Sequence, residues 1–308
     1  MNLAADCAAC VGLCCVAPAL TASADFALTK PAGRACVHLG ADSRCEIHSS
    51  LRSRGFPGCV AYDCFGAGQR TVALLGPVRS PRTLRAYEVL HQLHELLFYV
   101  SDALARPAAA PLHASLDRQR SVITGLHPDS LATTDPASHR AAVAPLLRQA
   151  SALVRAADPG HGPEPSREHS RKRDPGRSPG LDSQPGLGSR PDVGSRPGPS
   201  SGSRPGPSSS SRPGPDHRGA DLAGRDLSDA DLRRADLSTA YLIGASLRGA
   251  DLSTADFLGA DLRGADLADA DLTDALYLTR TQIGGAHGNA TTLLPTGLPH
   301  PAHWLASR

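Results

Sequence analysis

Several things this chain lacks narrow what it can be. No run of apolar residues approaches the length of a membrane span. No Gly-rich nucleotide loop is present, and no Ser/His/Asp or paired-carboxylate arrangement stands out, so nothing points to a nucleotide-dependent or hydrolytic enzyme. Residues 219–279 contain no Glu, residues 159–218 contain no aromatic side chain, and no cysteine follows Cys64. Met1–Asp6 has no basic segment of the kind that opens a secretion signal. The expected compartment is therefore the cytoplasm, where thiols stay reduced and clustered cysteines usually mean metal.

What is present falls into four parts. Residues 1–70 hold all eight cysteines, residues 71–158 carry helical periodicity, residues 159–218 are rich in Pro, Gly, Ser and Arg, and residues 219–308 carry a repeat with a terminal cap. The net charge of +2 hides an asymmetry. Residues 219–279 carry twelve Asp and five Arg, a net of −7, whereas residues 159–218 carry ten Arg or Lys against six acids, a net of +4. With almost no aliphatic side chain, the basic segment cannot bury enough surface to offset the entropy of ordering, and it reads as a disordered, extended linker.

From Ala220 to Thr279 the sequence runs in twelve blocks of Ala-Asp-Leu-x-x. Arg225 replaces one Ala, and Phe257 and Tyr277 replace two of the Leu. A period of five fits neither a helix nor a flat strand. Each block can instead form one side of a square coil, with Leu filling the interior and Ala letting the narrow square close. Stacking residues twenty apart then sets rungs about 4.8 Å from one another. This pattern resembles the pentapeptide-repeat family, which implies a right-handed quadrilateral β-helix of about three coils. Such solenoids need caps, and the only Trp, Trp304, is expected to cover the open end of the Leu ladder.

The cysteines are Cys7, Cys10, Cys14, Cys15, Cys36, Cys45, Cys59 and Cys64. Cys7-x-x-Cys10 suits two thiolates on one ion, while adjacent Cys14 and Cys15 point in different directions and favour a polynuclear cluster or two neighbouring sites. His48 reads as a surface residue or as an outer-sphere donor to a ligand. Cys-x2-Cys-x3-Cys-Cys, followed by Cys-x8-Cys-x-Ile-His and Cys-x4-Cys, resembles the zinc- or iron-chelating cysteine-cluster family. That resemblance implies a Cys-rich metal-binding N-terminus holding zinc or an iron-sulfur cluster, and in one branch of the family a link to flagellin lysine methylation.

The middle of the chain has helical period. Ser80-Pro81 opens a helix that runs to Pro107, a second is predicted over 112–126 and a third over 136–157. Together they make a small α-helical unit. Glu88, His91, His94 and Glu95 read as a solvated face, because the other helices offer no second copy of a carboxylate-His motif.

On the coil, Asp231, Asp251 and Asp271 should form a carboxylate column. Leu258 and Leu278 should stack outward beside Leu276, with Tyr241 and Ile243 as neighbouring interaction-surface candidates. An exposed apolar column asks for a partner, and the C-terminal tail around Trp304 is the first choice, ahead of the helical middle or a second copy. The resulting expectation is a non-enzymatic scaffold or protein-interaction module joined to a Cys-ligated metal domain. It has a protein partner, no membrane association and no direct nucleic-acid binding by the acidic coil. Two alternatives stand beside it. One is a DNA-mimic inhibitor or resistance protein acting on a DNA-handling enzyme. The other is a redox or methyl-transfer protein using an iron-sulfur cluster.

Overall fold

The computed structural model describes residues 2–157 and 214–305. The expected linker therefore lies almost wholly outside the described residues. Eight helices are named here in chain order: α1 (Leu13–Val16), α2 (Pro57–Ala61), α3 (Ala67–Leu75), α4 (Pro81–Ala105), α5 (His113–Thr124), α6 (Pro136–Ala156), α7 (Arg280–Gly285) and α8 (Ala302–Leu305).

Two of the three long helices, α4 and α6, start where their capping chemistry dictates. The Ser80 hydroxyl accepts the Thr83 amide and Pro81 opens α4, while the Asp135 carboxylate accepts the Ala137 and Ser138 amides ahead of Pro136 in α6. Their inward faces meet in one core in which Val89, Leu93, Val100, Leu116, Val143 and Ala150 are fully buried.

The repeat folds as a four-sided coil. Among the described residues it has no extended strand. It has isolated parallel bridges between residues twenty apart: Asp216 with Asp236, Asp221 with Tyr241, Asp226 with Ser246, Asp231 with Asp251, and onward to Asp256 with Leu276. Each side is held to the next coil through its backbone. The Asp251 amide donates to Ala230 O at 3.0 Å, its carbonyl accepts from Leu232 N at 2.9 Å, and Arg234 N donates to Ser253 O at 2.9 Å. Each corner closes with an amide-to-carbonyl bond such as Ala235 N to Leu232 O at 3.0 Å. The residue before each such amide has positive φ, as at Gly224, Asp229, Arg234 and Thr239, and this corner geometry explains why Gly recurs there.

The Asp of the motif has a structural task as well. Its Oδ1 accepts the amide two residues on, at Asp221 (3.2 Å to Ala223 N), Asp256 (2.8 Å to Leu258 N), Asp271 (2.9 Å to Thr273 N) and others. This local Asx bond pre-forms the corner. The interior is the expected ladder: Leu237, Leu242, Leu247, Leu252, Phe257, Leu267 and Leu272 are fully buried between layers of Ala.

The coil differs from the expected register at both ends. It begins one block early, with Asp216 already bridged to Asp236, and it continues past the last motif through bridges from Asp266 to His287 and Asp271 to Leu293. Tyr277 does not continue the Leu ladder. With φ of +59° it turns out of the coil and is buried in the helical core, while Leu278 takes the interior place. Leu278 is thus not an outward residue. Trp304 lies in the coil core with Ile283 and Ala286, its ring over Gly288 and its indole N–H on Ala286 O at 3.1 Å.

The helical and coil portions belong to one compact unit. No helix among the described residues is long and apolar enough to cross a membrane.

Candidate functional site: the cysteine lobe and its seam with the coil

The eight cysteines occupy a lobe of short turns packed against α3 and α4. None forms a disulfide. Two neighbourhoods emerge from the packing. Cys10, Cys14 and Cys64 pack on the core of Leu13, Ala67, Tyr87 and Leu90. The Cys10 sulfur lies so near Gly68 that a Cβ there would stand 2.7 Å from it, and the Gly66 and Gly68 amides point at Cys64. Cys45 and Cys59 instead pack on Ile47, Leu51 and Phe56. Cys36 joins Cys15 through its amide, which donates to Cys15 O at 2.9 Å. The vicinal pair on α1 therefore divides, with Cys14 toward the first group and Cys15 toward the second.

The electrostatics follow the same division. Cys15 is lowered to about 7 by the hydrogen bond from Cys14, against its burial, and by the nearby Lys30 and Arg79 charges. Its thiol-donating neighbour Cys14 is pushed far up by that same bond, by burial and by the charges of Cys15, Cys10 and Cys64. Cys59 is pushed up to about 11 by burial and by the charges of Cys15, Cys36 and Cys45. Cys7 is raised by burial and by Cys10. The donor chemistry suits a thiophilic metal, since closed zinc and iron-sulfur sites are built from four thiolates. The thiols do not stand at coordinating distances: among the described residues no group of three or more His, Cys, Asp or Glu could hold an ion as placed. His48 is exposed.

The α4 helix fixes this lobe through Tyr87, His91 and His94, and the two histidines are therefore not part of a solvated face. His94 is 2% exposed, and its Nδ1 pairs with Phe65 O at 2.7 Å. His91 Nε2 pairs with Asp63 O at 3.0 Å, and the buried Tyr87 hydroxyl meets that of Tyr62 at 2.5 Å. Residues 87, 91 and 94 share one helix face and clamp the segment carrying Cys64. The signal in the sequence is the i, i+4, i+7 spacing of these amphipathic rings, which a carboxylate-His metal motif shares.

The second feature is the seam between helices and coil. Its apolar part is Leu276 and Tyr277, fully buried among Tyr99, Leu147 and Val100, with half-buried Leu258 against the same core. Tyr277 donates its hydroxyl to Leu147 O at 3.0 Å, its amide donates to Asp102 Oδ2 at 3.0 Å, and its ring stands edge-on to Tyr99. The outward apolar column is thus covered by the helical middle, and the tail around Trp304 caps the coil end instead. The polar part runs along α6. Arg155 pairs with Asp236 at 3.1 Å and donates to Arg234 O at 3.1 Å, and Ser151 donates to Asp256. Arg218 completes the Asp236 pair at 2.6 Å from the coil side. At the other end Arg106 bonds the carbonyls of Asp274 and Ala275, and Arg52 bonds Gly284 O at 3.1 Å. Gly284 allows α7 to lie directly on α2, since a Cβ there would meet Ala61 Cα at 2.9 Å.

The remaining coil candidates lie on other sides. Asp231 is exposed and held bidentately by Arg233, at 2.8 and 2.7 Å, with Asp251 a further 3.9 Å contact of the same guanidinium. Asp271 stacks on Asp251 in the same column. Tyr241 and Ile243 are 54% and 38% exposed.

Comparison with known proteins agrees with the coil. Residues 218–253 and 240–276 match the model of the pentapeptide-repeat family, in eight copies. The coil of this protein is therefore a pentapeptide-repeat coil. The chain is similar to an uncharacterised protein of Bacillus subtilis (strain 168), YybG, at 39% identity over 166 residues, which is 50% of this chain and 60% of that protein. The match thus spans less than two thirds of this relative's length. Among solved structures it is similar to a pentapeptide repeat protein from the thylakoid lumen of Arabidopsis thaliana, with 31% identity, 30% of this chain and 68% of that one covered, and a TM-score of 0.19. A pentapeptide repeat protein of a Nostoc strain has 38% identity, with 27% and 73% covered, and a TM-score of 0.16.

Proposed function

We propose that this protein is a non-enzymatic interaction scaffold in which a thiolate-bound metal lobe is docked rigidly on a pentapeptide-repeat coil. The observation that carries the reading is the seam. Tyr277 leaves the ladder to enter the helical core, and the buried Arg155–Asp236 and Ser151–Asp256 contacts join the same two parts. A coil held this way presents its uncovered sides, with Tyr241 and Ile243, to a protein partner. The cysteines serve as two four-thiolate sets, Cys7, Cys10, Cys14 and Cys64 in one and Cys15, Cys36, Cys45 and Cys59 in the other, each sized for zinc or for an iron-sulfur cluster. Metal binding would supply folding energy to a lobe of short turns with little apolar core of its own.

The acidic column gives less support to nucleic-acid mimicry. Asp231 is neutralised by Arg233, Asp266 by Arg248 and Asp261 by Arg263, so the coil's anions alternate with cations at the surface. The test is zinc, iron and labile sulfide per full-length chain purified without oxygen, with thermal unfolding before and after chelation. Two metal equivalents whose removal lowers the Tm are expected. A chain with no metal and eight freely titrating thiols would overturn the metal reading. Two iron-sulfur clusters with reversible redox change would move the protein to the redox class.

A further inference from the structure

The two ends of the coil are finished differently. At the C-terminal end the ladder runs on into the rungs at His287 and Leu293, and Trp304 joins its core. At the other end the first full coil has no such cover among the described residues. Leu222 and Leu227 are only half-buried there, whereas Leu242 and Leu247, twenty residues on, are fully buried. The backbone edge is open as well. One coil up, the Tyr241 amide donates to Ala220 O and the Ser246 amide to Arg225 O, each at 2.9 Å, and the carbonyls of Tyr241 and Ser246 accept from Leu222 N and Leu227 N at 2.8 Å. The corresponding amides and carbonyls of Asp221 and Asp226 have no partner among the described residues. An unpaired edge of this kind is a template for another chain.

Arg225 stands at this end, in the one block that has lost its Ala. Its column continues through Ala245 and Ala265, both fully buried, so the position points into the coil. A long side chain fits there only in the first coil, where it can leave through the uncovered end, and Arg225 is exposed accordingly. Arg233, Arg248 and Arg263 pair with Asp231, Asp266 and Asp261, but among the described residues no carboxylate pairs with Arg225. We propose that Arg225 is a stop, which keeps the open end of the coil from stacking on the open end of a second copy. A second copy is the complementary partner, because a two-fold axis sets the same unpaired amides and carbonyls opposite one another in antiparallel register. Stacked at the rung spacing of about 4.8 Å, such a pair would enclose Arg225 as the coil encloses Ala245. Two guanidinium groups would then be buried together at positions sized for Ala, which both sterics and desolvation oppose. Since the other end is closed, association released by the loss of Arg225 should end at two copies.

The test uses the full-length chain as wild type, Arg225→Ala, Arg225→Ser and Arg225→Lys. Mass is measured by sedimentation equilibrium over a range of concentrations, and hydrogen exchange is followed at the amides of Asp221 and Asp226. Wild type and Arg225→Lys should show the same mass, with both amides exchanging fast. Arg225→Ala, which restores the letter of the motif, and Arg225→Ser should rise with concentration to about twice the wild-type mass, with exchange at both amides slowed about tenfold or more. An Arg225→Ala chain that keeps the wild-type mass throughout would overturn the proposal. So would a doubled mass with both amides still exchanging freely, because the copies would then meet elsewhere, and so would a wild type in which these amides are already protected by pairing. Should Arg225→Ala prove insoluble, Arg225→Ser decides by the same two readings.

Discussion

Asp231 and Asp236 are the same letter of the same repeat, one block apart, yet they occupy opposite environments. Asp231 stands in water with Arg233 folded onto it. Asp236 is 2% exposed beneath α6, between Arg155 and Arg218. Both caps accept their local amide, at Arg233 N and Ser238 N. The repeat therefore dictates the coil and leaves each of its four sides to be assigned by what lies against it. One side, built from Asp236, Asp256 and Leu276, has become the interior of a larger fold. The side of Asp231, Asp251 and Asp271 has stayed a surface.

The largest effect is expected where the covered side is most apolar. Tyr277→Ala removes a buried ring, its hydrogen bond to Leu147 O and the contact with Tyr99, and should destabilise by about 3–5 kcal/mol. Chemical denaturation should then resolve two transitions, helices and coil, in place of one. A single transition at the wild-type midpoint would mean that the seam holds nothing together.

Next come the two buried carboxylates, whose pH signatures have opposite signs. Burial works against the charge of Asp236, but the hydrogen bonds of Ser238 and Arg218, with Arg155 nearby, outweigh it and hold the group below its ordinary range. Its stabilisation is present above the unfolded value of about 3.9 and is lost as pH falls through the lower folded value. Asp236→Ala should destabilise by about 3 kcal/mol at pH 7, because it strands Arg155, and the deficit should shrink in strong acid. Asp256 is raised by burial, with the Ser151 and Leu258 hydrogen bonds opposing that shift. A raised carboxylate leaves stability untouched below about 3.9 and diminishes it as pH rises through the folded value. Asp256→Asn keeps an acceptor for the Leu258 amide and turns its NH2 toward the Ser151 hydroxyl, which can accept it, and it should be about 1 kcal/mol more stable than wild type at pH 7 and equal to it at pH 3. Urea midpoints at the two pH values decide both, and a destabilised Asp256→Asn at pH 7 would show that its charge is part of the latch.

How much of this was legible follows from the same contrast. The coil was readable because every block repeats one set of demands, with Leu inside, Ala at the side and Asp at the corner. The helices were readable from Ser80-Pro81 and from the spacing of Leu84 to Leu104. The side of Leu258 and Leu276 was readable as one that asks for a cover, but the choice of the helical middle over the tail around Trp304 was not, because Leu276 and Tyr277 break the motif without saying what they meet. The pairing of Arg155 with Asp236 joins residues 81 apart in sequence, and no local pattern encodes it. In the cysteine lobe the vicinal Cys14 and Cys15 pointed to a cluster or to two neighbouring groups, but not to which of the later cysteines packs on which side.

On the open side the effects should be small. Asp231→Asn removes one exposed ion pair while the amide oxygen still accepts Arg233 N, and it should change stability by no more than about 0.5 kcal/mol. A loss above about 2 kcal/mol in urea unfolding would erase the distinction between the two sides.

A modest effect, of opposite sign, is expected from the part of the chain that joins helix to coil. Its two described ends arrive at one place. Arg155 near the end of α6 holds Arg234 O, and Pro215 at the start of the coil accepts the Asp236 amide at 2.9 Å. A segment whose ends are fixed together works as a closed loop, and shortening a loop changes its closure entropy only logarithmically, by about 0.6 kcal/mol for each halving. Replacing residues 158–213 with a connector of about ten Gly and Ser residues should therefore leave the seam intact and raise stability by no more than about 1–2 kcal/mol. A large drop in Tm, or the appearance of separate helix and coil transitions, would show that the removed residues take part in the docking, and the covered side would then owe its burial to more than α4 and α6.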